Sequence, residues 1–185
     1  MSEDKRVALI KAAEAVVSKY GVNRLTLNEV AEEAGVSKGG LLYHFPSKDA
    51  LVKGMLDYAM DTFEGYIERH QEGDKAPGGW LRGYVKGTFE STGEVQRESA
   101  SASALIASIS HNPALLEHYR DLQSKWSSAK GEMSTENLMR SLVVQMATDG
   151  LWLNEALGLS PLTPEQREAF ISKLVEMTRD VDETS

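Results

Sequence analysis

The run from Thr26 to Phe45 constrains the fold most, because it contains two short helical signals separated by one glycine-containing turn. Thr26 and Glu29 stand at the S/T-x-x-E spacing of a capping box, and Leu25 is placed to staple onto Val30, so a helix is predicted to start at Thr26. Leu27, Val30, Ala31 and Ala34 make its apolar side, Glu32 and Glu33 face outward, and Gly35 stops it. Ser37 is a second N-cap. The Phe45-Pro46 pair ends the next helix, since the residue before a proline is driven out of the α region. The spacing thus predicts helices of roughly 26–34 and 37–44 joined by a tight turn, the helix-turn-helix pattern.

The rest of the chain is helical in period too. Leu9, Ala12, Ala13, Val16, Val17 and Tyr20 recur at spacings of three and four, and Gly21 ends that helix. Ser47 caps a fourth helix running to about residue 70, with Leu51, Met55, Tyr58, Thr62, Tyr66 and Arg69 along one side. After the loop-rich break at 71–79, five further helices are expected: one marked by Trp80 to Phe89, one at 98–110, one opened by Asn112-Pro113, one at about 134–157 and one opened by Thr163-Pro164-Glu165-Gln166. No strand, repeat or low-complexity tract is legible. The expected fold class is all-α, with an N-terminal three-helix domain at 1–50 and a C-terminal helical bundle at 51–185.

Composition removes several classes of function. The 185 residues contain no cysteine, which excludes disulfide scaffolds, thiolate metal sites and thiol nucleophiles. The four histidines show neither H-E-x-x-H nor Glu-x-x-His spacing, so no metal and no cofactor is expected. No apolar run reaches the length of a membrane span, and MSEDKR lacks the apolar core of a secretion signal, which makes the cytoplasm the expected location and a membrane partner unexpected.

A formal net charge of −8 argues at first sight against a polyanionic partner. Its distribution argues otherwise. Residues 1–50 hold seven bases and seven acids, which leaves 13 bases and 21 acids, hence the whole −8, to residues 51–185. The window 34–48 contains Lys38, Lys48 and His44 and no acid.

A helix-turn-helix reads duplex DNA by laying its second helix in the major groove. Gly39 and Gly40 weaken that short helix, each by about 1 kcal/mol relative to alanine, so something other than helix stability accounts for them; glycine permits close approach of a groove floor or phosphate. Ser37 and Lys38 lie where base edges would be, and lysine can donate to guanine. Thr26, Tyr43, His44 and Lys48 are the expected phosphate donors. Gly35-Val36-Ser37-Lys38-Gly39 also satisfies G-x-S-x-G, but a capped helix precedes it where a nucleophile elbow needs a strand.

The stretch TLNEVAEEAGVSKGGLLYHFPSKDAL (26–51), after a helix of the KAAEAVVSKYG kind, closely resembles the DNA-binding domain of the TetR/AcrR family of transcriptional repressors. The resemblance covers about residues 5–52 and is similar in kind, though less diagnostic, over MATDGLWLNEALGLSPLTPEQRE. It implies a homodimer on double-stranded DNA, with Asn28 and Leu42 joining the residues above at the DNA face and with an effector-binding and dimerisation domain beyond about residue 52. In that context Phe63, Tyr66, Tyr84, Phe89, Leu116, Tyr119, Met146 and Trp152 are expected to line an apolar pocket. Asp149, amid Val143, Met146, Leu151 and Leu153, is expected either to meet a cationic ligand or to be satisfied by a buried donor.

The last two helices carry more apolar surface than one neighbour can cover, so Leu142, Leu153, Leu157, Phe170 and Leu174 are expected at a two-fold interface. The function expected is that of a ligand-responsive repressor, released from a near-palindromic operator by a small lipophilic effector, with excess acid leaning towards a cation. The alternative is a ligand-independent regulator or activator of the same fold; a helical-bundle enzyme is set aside, since no acid–base or metal constellation can be named.

Overall fold

The computed structural model describes residues 2–90, 109, 112–128 and 134–180, and among them every regular element is helical. The elements are α1 (Ser2–Tyr20), a 3-10 turn (Val22–Arg24), α2 (Leu27–Glu33), α3 (Lys38–His44), α4 (Lys48–Gln71), α5 (Gly79–Glu90), α6 (Pro113–Ser128), α7 (Thr135–Ala156), α8 (Pro164–Met177) and a closing 3-10 turn (Thr178–Asp180). The helix expected at 98–110 lies outside the described residues, apart from Ile109. The all-α expectation is met.

The boundaries follow local chemistry. Ser134 Oγ accepts the Asn137 N–H at 3.2 Å, and Asn112 Oδ1 accepts the Leu115 N–H at 3.3 Å, each supplying a partner for an otherwise orphan donor. Thr163 and Gln166 form the reciprocal capping box expected of them, with Pro164 in the first turn.

The chain packs as two compact units, the first made of residues 1–61 and 97–123, the second of 62–96 and 124–185. In the first, Leu9, Ile10, Ala13, Val16 and Val17 of α1 share a core with Val30 and Ala31 of α2, Leu41 and Phe45 of α3 and its cap, Leu51, Val52, Met55 and Leu56 of α4, and Leu115 and Leu122 of α6. Tyr20 departs from the predicted α1 stripe and is 60% exposed, because the helix ends beside it at Gly21. Two side-chain contacts tie α6 to α4 within this unit: Asn112 Nδ2 donates to Asp49 Oδ2 at 3.2 Å, and His118 Nε2 lies 2.6 Å from Asp57 Oδ1.

In the second unit, Leu81, Val85 and Phe89 of α5 pack with Val144 and Leu151 of α7 and Leu174 of α8. A polar knot fastens the start of α5 to the closing 3-10 turn. Arg82 is buried and donates to Asp74 through Nε at 2.5 Å and Nη2 at 2.7 Å, with Pro77, Ala76 and Thr178 supplying further acceptors. A buried guanidinium is tolerated only when its donors are met in this way.

Candidate nucleic-acid interface

The turn between α2 and α3 is built by backbone chemistry. Gly35 takes φ +65°, a conformation L side chains rarely adopt, and its N–H donates to Glu32 O at 3.1 Å while that of Val36 donates to Ala31 O at 2.9 Å. This paired closure satisfies the last carbonyls of α2 and sets the angle at which the chain leaves it. Ser37 then starts α3 by accepting the Gly40 N–H at 3.1 Å.

Leu41 and Phe45, four residues apart, anchor the inner face of α3 at 0% and 1% exposure. Arg6 of α1 covers the Phe45 ring, its guanidinium carbon 5.2 Å from the centroid. Gly54 of α4 lets that ring come close, since a Cβ there would stand 2.6 Å from Phe45 Cε1. Helix α3 is thus held from behind by α1 and α4 and depends little on its own propensity.

Its outer face is open. Ser37, Lys38, Gly39 and Gly40 are exposed, Leu42 and His44 are half-buried, and Tyr43 is 84% exposed with its ring edge-on to His44 at 5.1 Å. A Cβ built on Gly39 meets nothing within 4 Å, and one on Gly40 only Ser37 Oγ at 3.4 Å. The protein's own packing therefore does not require either glycine. Lys48 is exposed in the first turn of α4, whose cap Ser47 accepts the Ala50 N–H at 3.1 Å.

Thr26 and Asn28 are exposed at the start of α2. Half of the predicted capping box forms here: the Glu29 N–H donates to Thr26 Oγ1 at 3.2 Å. The Glu29 carboxylate accepts from the Thr26 hydroxyl and lies 2.8 Å from Arg24 Nη2. Arg24 escaped the sequence reading; the available signal was a base two positions before a threonine cap with an acid at the third helical position. One turn along α2, Glu33 holds the Lys19 ammonium at 2.6 Å and, through that hydrogen bond, raises its pKa above the ordinary lysine value.

The residues expected around an effector fall in both units, each of which is described by itself. In the first, Leu116 and Tyr119 are half-buried, and the Tyr119 hydroxyl accepts from Gln123 Nε2 at 2.7 Å. In the second, Tyr84 is buried between Phe63, edge-on at 5.4 Å, and Trp80, stacked at 5.4 Å, and its hydroxyl donates to Asp149. Of the two situations foreseen for Asp149, a neighbouring donor is present. Phe89 is buried under the Arg167 guanidinium at 5.3 Å, Tyr66 lies under Arg69 at 4.6 Å, and Trp152 is half-buried. Met146 is 68% exposed.

Of the residues expected at an interface, Leu153, Leu157 and Phe170 are exposed and Leu142 half-buried, with Val143 and Met146 exposed beside them. Leu174 corrects the expectation. At 4% exposure it belongs to the core of its own unit, because the inner stripe of α8 turns it towards α5 and α7. Among the described residues no cluster of three or more His, Asp or Glu could hold a metal, and no helix is long and apolar enough to cross a membrane.

A short helix braced from behind, open in front and preceded by a capped partner is the working part of a helix-turn-helix DNA-binding protein. Comparison with known proteins gives the same class. Residues 9–55 match the family model described as bacterial regulatory proteins, tetR family, and residues 78–179 match that of the tetracyclin repressor-like C-terminal domain. The HTH-type transcriptional regulator BetI 2 of Chromohalobacter salexigens is 27% identical over 96% of this chain and 87% of its own. RutR of Escherichia coli, also an HTH-type transcriptional regulator, is 36% identical over 55% of this chain and 46% of its own. The crystal structure of a transcriptional regulator from Rhodococcus sp. Rha1 superposes with a TM-score of 0.79 at 20% identity, covering 97% of this chain and 98% of that one. The chain belongs to the TetR family of DNA-binding transcriptional regulators, and is not an enzyme.

Proposed function

We propose that this regulator is a ligand-responsive repressor that binds a near-palindromic operator as a homodimer and is released by a small lipophilic effector. The observation that carries the reading is the outer face of α3: Ser37, Lys38, Gly39 and Gly40 form an uncluttered surface, with Tyr43 projecting at its end. Ser37 and Lys38 reach base edges, Gly39 and Gly40 allow close approach, and Leu42 packs along the groove wall. Thr26, Asn28, Tyr43, His44 and Lys48 contact the backbone.

Dimerisation uses the exposed apolar stripe of α7 and α8, where Leu142, Leu153, Leu157 and Phe170 leave a surface that a second copy would cover. Leu174 stabilises that stripe from within. Two copies of α3 then face successive major grooves, and occupancy of the operator blocks transcription.

Phe63, Tyr66, Tyr84, Phe89, Trp152 and Asp149 of the second unit are the proposed effector contacts. Tyr84 links the ring pair Phe63 and Trp80 to the exposed carboxylate of Asp149, a combination that suits a lipophilic cation, which the carboxylate and the ring faces would both attract. Helix α4 runs unbroken from Lys48 to Gln71 and carries effector-induced movement to the DNA face.

A thermal-shift screen of hydrophobic and cationic compounds, followed by measurement of DNA release, tests the response. A compound that both stabilises the protein and releases DNA supports the repressor. A screen in which no compound does both would instead favour a ligand-independent regulator or activator of the same fold.

A further inference from the structure

At the cap of α2 one carboxylate, that of Glu29, holds two side chains. Glu29 accepts the Thr26 hydroxyl proton with one oxygen, and its other oxygen lies 2.8 Å from Arg24 Nη2. Arg24 comes from the 3-10 turn ahead of the helix, and its side chain is 66% exposed against 29% for that of Glu29. A hydroxyl and a guanidinium are two of the donor types that proteins most use on DNA phosphates. Carboxylate and phosphate offer the guanidinium equivalent oxygens.

We propose that Glu29 is an internal stand-in for a DNA phosphate, and that Arg24 and Thr26 form a backbone-contact subsite engaged only by exchanging the Glu29 carboxylate for a phosphate. The inference rests on the reading of residues 26–48 as the DNA face, to which it adds Arg24 as a contact and Glu29 as its competitor. After the exchange the carboxylate is still beside the incoming phosphate, so it opposes every DNA sequence equally. Glu29 thereby lowers sequence-independent affinity and leaves a larger share of discrimination to α3. An exposed base with no such competitor would release counterions in full on binding, whereas Arg24 must first give up a partner it already has.

The test is a salt titration of the full chain against a short duplex of arbitrary sequence. Glu29→Gln keeps an acceptor oxygen for the Thr26 hydroxyl and removes the charge. It should bind about two- to fivefold more tightly at low salt, with a salt slope steeper by up to about one. Arg24→Gln alone should weaken binding, because it removes a phosphate donor and leaves the Glu29 charge unpaired beside the DNA, and in the Glu29→Gln background it should abolish the gain. Thermal melts of the variants check that the cap is intact.

Three results would overturn the inference: no tightening in Glu29→Gln, a gain that survives Arg24→Gln, or an equal gain from Glu33→Gln, whose pair with Lys19 lies one turn along α2. Lys48→Ala separates this failure from a failure of the DNA face. If Lys48→Ala weakens binding and flattens the slope while Glu29→Gln does nothing, the face stands and the Glu29 role falls. If Lys48→Ala changes neither quantity, both fall together.

Discussion

The Phe45 ring and Gly54 approach so closely that a single added methyl group on the glycine would overlap the ring edge at 2.6 Å from Cε1. Phe45 is 1% exposed and cannot swing away, and Arg6 Nη2 crowds the same point at 3.1 Å. Gly54→Ala gains helix propensity in α4 but overpacks a full core, at a cost of about 1–3 kcal/mol. The net outcome should be a lower melting temperature and weaker DNA binding, measured by thermal denaturation and fluorescence anisotropy. An unchanged or higher melting temperature would show that this packing does not hold α3.

Gly39 predicts the opposite combination. A Cβ there meets open space and the residue is helical, so Gly39→Ala should stabilise the protein by about 0.5–1 kcal/mol. If the glycine is there to admit DNA, the same substitution should weaken operator binding. Greater stability with undiminished binding would remove the close-approach argument.

The Arg82 knot gives the protein an acid-sensitive point. Hydrogen bonds from Arg82 hold the Asp74 carboxyl below its ordinary pKa. A depressed carboxylate pKa contributes stability that is present above the unfolded-state value and lost as pH falls through the folded one, so the loss begins below about pH 4. Asp74→Ala should destabilise by about 1–3 kcal/mol at neutral pH by leaving the buried guanidinium under-satisfied. It should also flatten the acid limb of a melting-temperature profile. A profile parallel to that of the wild type would assign acid sensitivity elsewhere.

Charge on the exposed stripe of α7 tests the dimer. Leu153→Asp places a carboxylate on the face of α7 that exposed Met146 and Leu157 share by helical spacing, where it would be desolvated without a partner on association. Sedimentation velocity should report monomers, with a folded circular-dichroism spectrum and operator binding reduced. A dimer of unchanged affinity would place the interface on another surface.

How much was legible in the sequence depended on whether the physics was local. Caps are set within one helical turn, so Ser37, Ser47, Asn112 and Thr163 could be read from spacing, as could Gly35. Burial on a stripe depends on which neighbour a helix meets. Periodicity put Leu174 and Phe170 on one apolar helix without telling that the first faces inward and the second outward. Tyr20 fits its stripe in period, but the helix ends there and leaves it exposed. The pairs Tyr84–Asp149, Arg82–Thr178 and His118–Asp57 join residues far apart in the chain, and no spacing in a single sequence announces them.

The central claim is that α3 reads bases while Lys48 and its neighbours hold the backbone. Anisotropy titrations of the wild type, Lys38→Ala and Lys48→Ala, against a duplex selected from a random library and a scrambled control over a range of salt, test it most directly. Lys38→Ala should lose affinity for the selected duplex by about 1–3 kcal/mol and narrow the gap to the control. Lys48→Ala should weaken both duplexes alike and reduce the salt slope by about one. Wild-type affinity, specificity and salt slope in both variants would contradict the account.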